Sequence, residues 1–338
     1  MFGAVGDGVT DDSAAIQAAI NTGLEVKFKG GKTYICSNVQ LRSGCNINLN
    51  KATVKTTENA PIFIGPTGKN AYNRMYIHDG HLEGNSVDNT QTNQRLIQTA
   101  CFYSIFENLY FNKCYIGIHL LSREDTSGGT VVENVLRGLK FNNCYYASLY
   151  AYGDGTTDGR FEGGYINAPS GSSYGIYIEQ AAGWIINNLH FYGSPDTSLG
   201  TKNASHTFVT NCYIEGSYIT YGMSFNSFIG DINISNTQII ATENNQTLIR
   251  CSKSSSLDTK KRIINLSGVT FECNEPDIVV NSLTGSIDVA YFDKIVYNDP
   301  YNVIKKPEIT AYESIIGTVT ENTNAIKVKG SNFLTPQY

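Results

Sequence analysis

The chain has 338 residues, of which only 16% are charged, and its formal net charge is −5. This acidic balance, with no cluster of Lys and Arg among aromatic residues, argues against nucleic acid as a partner. No apolar run reaches the length of a membrane span, and no Cys or His cluster has zinc spacing, so the sequence predicts no membrane insertion, no metal and no cofactor.

The first 25 residues predict a leading strand followed by a short amphipathic helix. Ile16 and Ile20 share one face of this helix, Thr10 or Asp11 can cap its N-terminus, and Gly23 ends it. The open end of a stack of strands exposes unpaired backbone groups and the core. We therefore expect the helix to cover such an end.

The run FGAVGDGVTDDSAAIQAAI, residues 2–20, resembles the N-terminal signature of the pectate-lyase-like right-handed β-helix superfamily, especially its bacteriophage tailspike and capsular polysaccharide depolymerase members. The segment 26–34 is similar to the family's first strand and turn, although Lys29 or Gly30 stands where proline is usual. The resemblance implies a homotrimer on a virion tail that acts outside the cell on bacterial surface polysaccharide. It also implies that a region for attachment to the phage tail precedes Met1 in the natural protein.

One sequence pattern recurs every 23 to 32 residues between Leu49 and Asn298. Its centre is apolar in every copy and is occupied by Val54, Leu82, Phe111, Phe141, Ile166, Phe191, Ile214, Ile239, Phe271 and Val296. Five positions earlier stands a second column, formed by Leu49, Ile77, Phe106, Leu136, Phe161, Ile186, Val209, Ile234, Leu266 and Tyr291. This period is typical of a solenoid, in which units bury their apolar residues by stacking on their neighbours.

A corner residue separates the two apolar columns in each copy. Three positions before the centre, nine of the ten copies have Asn, Asp or Gly, and Lys51 is the exception. These residues tolerate the left-handed backbone of a tight bend, so each copy predicts a strand, a one-residue corner and a second strand. The sequence thus predicts an all-β parallel β-helix over residues 26–299, and the resemblance adds that it is single-stranded and right-handed. A leucine-rich repeat or a propeller would need a repeat frame that is absent.

Residues that flank each centre alternate with it and are therefore expected to face solvent. They place Tyr165, Tyr192, Tyr213, His190 and Glu215 on one patch. Aromatic rings beside an acid suit a sugar chain, because the rings stack on apolar sugar faces and the acid binds hydroxyls. His190 could be a general acid or base. The same aromatic residues could instead serve only to pair neighbouring strands.

Glycoside hydrolysis requires two carboxyl groups, about 5 to 5.5 Å apart for retention or about 6.5 to 9.5 Å apart for inversion. Our first candidate pairs Glu215 with Glu179, Asp154 or Asp158. The two aspartates lie in an insertion at 152–159, and long loops on a rigid scaffold often carry function. An Asp beside a Gly can also be a simple turn former.

Two further charged residues are candidate contacts for substrate. Arg160 could hold an anionic sugar. Glu162 shares its position with Glu107 and Arg137 in the preceding copies. An alternating-charge ladder that only stabilises strand pairing therefore explains Glu162 equally well.

These residues lead us to expect endo-glycosidic hydrolysis of a bacterial capsular or surface polysaccharide by a carboxylate pair. Hydrolysis is preferred because no Asp-rich cluster resembles the calcium site of pectate lyases. The alternative enzyme is a lyase acting by β-elimination, in which Arg160 or Lys140 neutralises a uronate and His190 or a Tyr takes the proton. An alternative of a different class is a glycan-binding adhesin without a competent acid pair.

Three remaining features complete the expectations. Residues 300–338 predict further strands, over 309–319 and 325–328, in a C-terminal cap or subunit-contact segment. Cys114 and Cys144 stand at the same place in consecutive copies, which predicts stacked, reduced thiols in the core. Trp184, the only tryptophan, is predicted to be buried rather than a sugar platform.

Overall fold

The computed structural model describes residues 2–65, 72–88, 90–122, 131–216, 220–241, 247–252 and 263–273, together with six short strands beyond residue 277. The strands that begin before residue 100 are Asp7–Asp11, Val26–Lys27, Thr33–Ile35, Val39–Gln40, Asn46–Asn48, Thr53–Lys55, Phe63–Ile64, Tyr72–Asn73, Tyr76–Glu83 and Arg95–Thr99. The next group comprises Cys101–Phe102, Ile105–Leu121, Val131–Val132, Val135–Thr157, Arg160–Ala168, Tyr174–Ala182, Ile185–Gly193, Thr197–Lys202 and Ser205–Thr210.

The remaining strands continue the same architecture towards the C-terminus. They are Tyr213–Ile214, Tyr221–Asn226, Ile229–Ser235, Gln238–Ala241, Thr247–Ser252, Ile263–Ser267, Thr270–Cys273, Ile278–Ser282, Val289–Asp293, Val296–Asn298, Glu308–Thr310, Ile315–Thr318 and Lys327–Lys329. Every strand pair is parallel, so the predicted parallel β-helix is confirmed.

Each turn of the helix contributes one segment to each of three sheets, which we name A, B and C. Sheet A pairs Phe106 with its equivalents Ile77 and Leu136. Sheet B pairs Phe111 with Leu82 and Phe141, and sheet C pairs Leu149 with Ile118 and Ile176. Because successive side chains of a strand point to opposite faces, each sheet has one face in the core and one outside.

The corner between sheets A and B has the predicted left-handed backbone. The corner residues have φ angles between 46° and 68° at all nine positions within the described part of the chain: Lys51, Asp79, Asn108, Gly138, Gly163, Asn188, Asn211, Asn236 and Gly268. Side chains also connect neighbouring corners, since the amide of Asn108 donates to the carboxylate of Asp79 at 3.1 Å. Lys51 adopts the same backbone although its residue type does not favour it.

The predicted register is wrong at both ends of the repeat. In the first turn Ile47, and not Leu49, pairs with Ile77, because two extra residues separate this strand from the centre. The corner there contains two left-handed residues, Asn50 and Lys51.

In the last turn Phe292 rather than Tyr291 pairs with Leu266, and Tyr297 rather than Val296 pairs with Phe271. Each predicted residue has an apolar or aromatic neighbour in the observed position, so the hydrophobic pattern could not decide between them.

Helix α1, Ser13–Asn21, packs its apolar face on the first turn. Ile16 and Ile20 are buried, and the Gln17 side chain exchanges hydrogen bonds with the backbone of Gln40. Gly23 follows the helix with a φ of 80°, as predicted for its end. Among the described residues, no helix is long and apolar enough to cross a membrane.

The N-terminus of α1 agrees with the prediction in part. Asp12 and not Thr10 or Asp11 occupies the cap position, but the Asp11 carboxylate accepts the backbone N–H of Ser13, the first helical residue, at 2.9 Å. The Asp12 carboxylate does not cap the helix, because it accepts the backbone N–H groups of Val5 and Gly6 at 2.7 and 3.0 Å. Asp12 therefore holds the leading segment against the helix.

Aromatic and thiol side chains stack in register inside the core. The rings of Phe111 and Phe141 lie 4.6 Å apart and nearly parallel. Cys114 and Cys144 are buried free thiols with 3.1 Å between their sulfur atoms, which confirms the predicted thiol ladder. Trp184 is 1% exposed and donates its indole N–H to the carbonyl of Thr156, so its predicted core position is also confirmed.

The described strands beyond residue 299 extend the same sheets. Glu308–Thr310 pairs with Ile278–Ser282, and Ile315–Thr318 pairs with Val289–Asp293, both in parallel. Lys327–Lys329 adds a further strand beside Glu308–Thr310. The predicted 309–319 strand overlaps the strands Glu308–Thr310 and Ile315–Thr318, and residues 311–314 lie outside the described part of the chain.

Candidate functional site

The outer face of sheet B carries the patch that the sequence predicts. Strand pairing sets Tyr165 beside His190 and His190 beside Tyr213. The residue that follows each of them points into the core, and these residues are Ile166, Phe191 and Ile214. The pleat explains this division, since neighbours of an inward residue must point outward.

Glu215 is held by two neighbours on this patch. Its Oε1 lies 2.8 Å from Nε2 of His190, and its Oε2 accepts the hydroxyl proton of Tyr213 at 2.7 Å. The His190 and Glu215 side chains remain 41% and 36% exposed, so both are reachable from solvent. Partial burial and the bond to Glu215 raise the pKa of Tyr213 to about 12, and the phenol stays a proton donor at neutral pH.

Aromatic rings form a continuous surface beside this carboxylate. The ring centroids of His190 lie 4.9 Å from Tyr213 and 5.0 Å from Tyr192. Tyr192 is in turn 5.6 Å from Tyr165, whose ring has the Lys140 ammonium 5.9 Å from its centroid. The structure therefore brings together all five residues of the predicted patch.

A groove of about 480 Å³ continues this surface towards the N-terminal turns, along the bend between sheets A and B. His81, Tyr110 and Lys140 line one side, and the corner residues Asp79 and Asn108 line the other. Amides, a phenol, an imidazole and a cation offer both donors and acceptors to a hydroxyl-rich ligand.

Glu272 is the nearest carboxyl group to Glu215 along the same column. Ile214 pairs with Ile239, so the next residue, Glu215, lies beside Ile240. Ile240 in turn pairs with Glu272 one turn further on. Two strand spacings separate the two backbones by roughly 9 to 10 Å. After burial and the contact with Glu215, the negative charge of Glu272 adds a smaller contribution that raises the pKa of Tyr213.

Two of the three carboxylates predicted to pair with Glu215, Glu179 and Asp158, are not on this face. Glu179 lies on sheet C, where it accepts the Tyr150 hydroxyl at 2.9 Å and binds Lys202 at 2.7 Å. Asp158 occupies a left-handed corner with a φ of 55°, which is the turn-forming role that the sequence also allowed. The Asp154 side chain lies outside the described residues. The predicted pairing failed because the insertion that contains the aspartates follows sheet C, and not sheet B.

Glu162 and Arg160 lie on sheet A, away from the patch. Glu162 forms an ion pair with Arg137 at 3.6 Å, and Arg137 also donates a hydrogen bond to Glu107 at 3.4 Å. The predicted alternating-charge ladder is therefore confirmed, and it gives Glu162 a structural role. Arg160 is exposed at the start of its strand.

A cluster of tyrosines on the outer face of sheet C was missed by the sequence analysis. It comprises Tyr115, Tyr146, Tyr150, Tyr174 and Tyr177. A fixed offset from the centre could not find it, because the connection from sheet B to sheet C varies in length. Ile118 follows Phe111 by seven residues, whereas Ile176 follows Ile166 by ten. The Tyr-rich stretch YYASLYAY at 145–152 was the available signal.

No group of three or more His, Cys, Asp or Glu side chains in the described part of the chain is arranged to hold a metal ion.

Comparison with known proteins places this geometry in context. No protein-family model matches the chain. A 40-residue segment is 58% identical to the capsule K30/K69-specific depolymerase 1 of Klebsiella phage K5-2, and this match covers 11% of the chain and 5% of that protein.

Several solved structures match nearly the whole chain, among them an adhesin and a tailspike. The Streptococcus pneumoniae surface adhesin PfbA has a TM-score of 0.67 at 14% identity, with 98% of this chain and 97% of that chain covered. The tailspike of Escherichia coli bacteriophage HK620, solved with a pentasaccharide, has a TM-score of 0.57 at 11% identity, with 96% and 74% covered. At these identities the likeness establishes the fold: the chain is a parallel β-helix like those of tailspike and adhesin proteins.

Proposed function

We propose that this chain binds and cleaves a bacterial capsular or surface polysaccharide by internal hydrolysis, on the outer face of sheet B. The observation that carries the proposal is the partly exposed carboxylate of Glu215, held by His190 and Tyr213 within a row of aromatic rings. The adjoining groove supplies room for sugars on one side of the carboxylate, as an enzyme that cuts within a chain requires.

Glu215 and Glu272 serve as the two carboxyl groups. Their backbones are two strand spacings apart, roughly 9 to 10 Å. Inverting glycosidases hold their carboxyl groups about 6.5 to 9.5 Å apart, with room for a water molecule between base and sugar, and side chains on backbones at this spacing could adopt that separation. Glu215 already accepts a proton donor from Tyr213, which suits the base. It removes a proton from water as the water oxygen bonds to the anomeric carbon, while Glu272 gives its proton to the departing glycosidic oxygen.

The short match to a phage capsule depolymerase and the likeness to a phage tailspike support the substrate class. We infer from the same likenesses that the protein acts outside the bacterial cell as part of a virion tail, and that it assembles as a homotrimer. The mass of the purified protein in solution, measured by light scattering, tests the trimer directly.

A lyase is the second candidate, because Lys140 lies over Tyr165 on the same face and could neutralise a uronate carboxylate. His190 would then take the proton next to that carboxylate. Sheet B could alternatively hold glycan without cleaving it, since both oxygens of Glu215 already have partners.

One assay separates these functions. The protein is incubated with a panel of capsular polysaccharides while chain length, reducing ends and absorbance near the ultraviolet edge are followed. Hydrolysis predicts shorter chains with new reducing ends and no unsaturated product, and the anomeric NMR signal of the first product should be inverted. An unsaturated chromophore would support the lyase, and binding without shortening would support the adhesin.

The carboxylate pair is tested with single amide substitutions. Glu215→Gln and Glu272→Gln should each lower the rate of cleavage by about 10²-fold or more, because each removes one half of the acid–base pair. Glu83→Gln is the matched control, since Glu83 has the same position in an earlier turn and pairs with Lys55. Full activity of Glu215→Gln would contradict the proposed site.

A further inference from the structure

The outer face of sheet C carries a packed cluster of five tyrosines that we name the tyrosine wall: Tyr115, Tyr146, Tyr150, Tyr174 and Tyr177. Tyr177 is buried within it, and the other four are half-buried. Tyr115 stacks on Tyr146 at 5.2 Å, and Tyr150 stacks on Tyr177 at 5.2 Å. The rings of Tyr174 and Tyr177 are nearly parallel, with their centroids 4.1 Å apart. The ring of Tyr146 contacts both of them edge-on, at 5.8 and 6.4 Å. This wall is on a different sheet from Glu215 and forms no part of the proposed cleavage site.

The next turn makes room for the wall instead of covering it. A Cβ atom at Gly200 would lie 2.7 Å from the ring of Tyr174, so a side chain there would displace the rings. Gly200 pairs with Tyr177 in the sheet, and the stacked rings of Tyr174 and Tyr177 occupy the space that a side chain at Gly200 would fill.

The wall presents neutral phenols. Burial raises the pKa of all five tyrosines above the ordinary value, so they remain protonated at neutral pH. The charge of Glu179, the acid beside these rings, is already balanced. Glu179 accepts a hydrogen bond from the hydroxyl of Tyr150 and forms an ion pair with Lys202.

Arg95 supplies a positive charge on sheet C. It is partly buried, and its backbone pairs with Ile116, next to Tyr115. Its Nη1 donates to the side-chain oxygen of Gln98 at 3.3 Å. Its Nε has no hydrogen-bond partner, and no carboxylate in the described residues lies within ion-pair distance. A half-buried guanidinium without an anion is a strong site for a carboxylate, which it can bind through two parallel hydrogen bonds.

We propose that the tyrosine wall is a second glycan-binding site, separate from the cleavage site, and that it takes an acidic sugar whose carboxylate pairs with Arg95. The rings supply flat surfaces for sugar stacking, the phenols bind hydroxyls, and the guanidinium selects uronates over neutral sugars. Such a site would hold a long polysaccharide against the β-helix while another part of it lies on sheet B. It requires binding only, and stands whether or not Glu215 cleaves.

Affinity electrophoresis tests this site with defined polymers. Glu215→Gln protein, which should not degrade its ligand, is run in gels that contain polygalacturonate, alginate or hyaluronan. Polygalacturonate whose carboxyl groups have been reduced to alcohols is the neutral counterpart. We expect at least one acidic polymer to retard the protein and the reduced polymer to retard it about tenfold less.

Substitutions in the wall should change this retardation in a set order. Arg95→Gln should weaken binding by about tenfold, and Tyr146→Ala by about fivefold, while Tyr146→Phe keeps the ring and should bind nearly as the parent does. Lys27→Gln is the charge control, because Lys27 is exposed on the first strand of sheet A. Circular dichroism and melting of each variant confirm that it folds.

The results separate the two proposals. Selective retardation by a uronate polymer, lost in Arg95→Gln, supports the wall even if no polysaccharide is cleaved. Equal retardation by acidic and reduced polymers, or unchanged binding by Arg95→Gln, would overturn it. Dissociation of a parent oligomer by Tyr146→Arg would instead identify the wall as a subunit contact and would also overturn the proposal.

Discussion

The hydroxyl of Tyr213 donates a hydrogen bond to Oε2 of Glu215 at 2.7 Å. Tyr213 begins the strand Tyr213–Ile214, and Glu215 is the residue that follows it. Ile214 between them points into the core, so the two polar side chains share the outer face. This pair ties the ionisation of a phenol to that of the proposed catalytic base.

Ionisation of Tyr213 should therefore report on Glu215. With a pKa of about 12, Tyr213 should be mostly protonated at pH 11, whereas an ordinary tyrosine ionises near pH 10. Glu215→Gln removes the negative charge and should raise the ionised fraction of Tyr213 at pH 11 several-fold. The near-ultraviolet difference spectrum against a Tyr213→Phe protein measures it. Glu272→Gln should have a smaller effect, and equal effects of the two variants would disagree with the geometry.

The stacked phenylalanines of sheet B should dominate local stability. Phe141 is fully buried and stacks on Phe111, so Phe141→Ala should lower the free energy of unfolding by about 3 to 5 kcal/mol. Lys140→Ala, one residue earlier and exposed, should change it by less than about 0.5 kcal/mol. Urea denaturation measures both, and similar losses would show that the inward and outward faces are misassigned.

The left-handed corners should discriminate between small and β-branched residues. Asn188 has a φ of 56°, which glycine adopts freely and valine does not. Asn188→Gly should therefore leave stability within about 0.5 kcal/mol of the parent, while Asn188→Val should cost about 1 to 2 kcal/mol. Thermal or urea unfolding compares the two variants, and a tolerated valine would argue against the strained corner.

His119 should make the protein sensitive to mild acid. Burial, with a further contribution from the nearby positive charge of Arg95, lowers the pKa of His119 to about 3, and the ring stacks on Tyr150 at 4.8 Å. The unfolded chain binds a proton near pH 6.5, so the contribution of neutral His119 is fully present above that pH and is lost as pH falls towards 3.

Between pH 7 and pH 5 this residue should remove about 2 kcal/mol from the free energy of unfolding. His119→Phe keeps a ring on Tyr150 but cannot titrate, and its loss over this pH range should be smaller by about that amount. Urea unfolding at both pH values measures the difference. A parent and a variant with the same pH dependence would show that His119 is protonated in the folded protein.

Much of the fold follows from residues that recur along the chain. The apolar centres and the Asn, Asp or Gly corners specify strand, bend and strand, because a pleated strand alternates its faces and few residues tolerate a positive φ. The predicted register is wrong in the turn of Ile47, where two extra residues separate the strand from the centre, and in the turn of Phe292, where it is shifted by one residue. Hydrophobicity cannot resolve a shift of one residue between adjacent apolar side chains.

The candidate site was also predicted only in part from the sequence. Alternation along sheet B was sufficient to group Tyr165, His190, Tyr213 and Glu215, because parallel strands keep equivalent residues side by side. The sequence could not identify the second carboxyl group that accompanies Glu215, and it could not show that Glu179 lies on a different sheet. Connections of unequal length decide which sheet each acid joins.

By itself, the sequence determined the solenoid, its left-handed corners, its capping helix and one aromatic face, all of which depend on spacing within a single turn. Only the tertiary structure decided which side chains meet across turns that differ in length. It paired Glu179 with Lys202 on sheet C, placed Glu272 two strands away from Glu215, and stacked the five tyrosines of the wall. Those contacts depend on how each loop returns the chain to the next sheet, which no fixed repeat encodes.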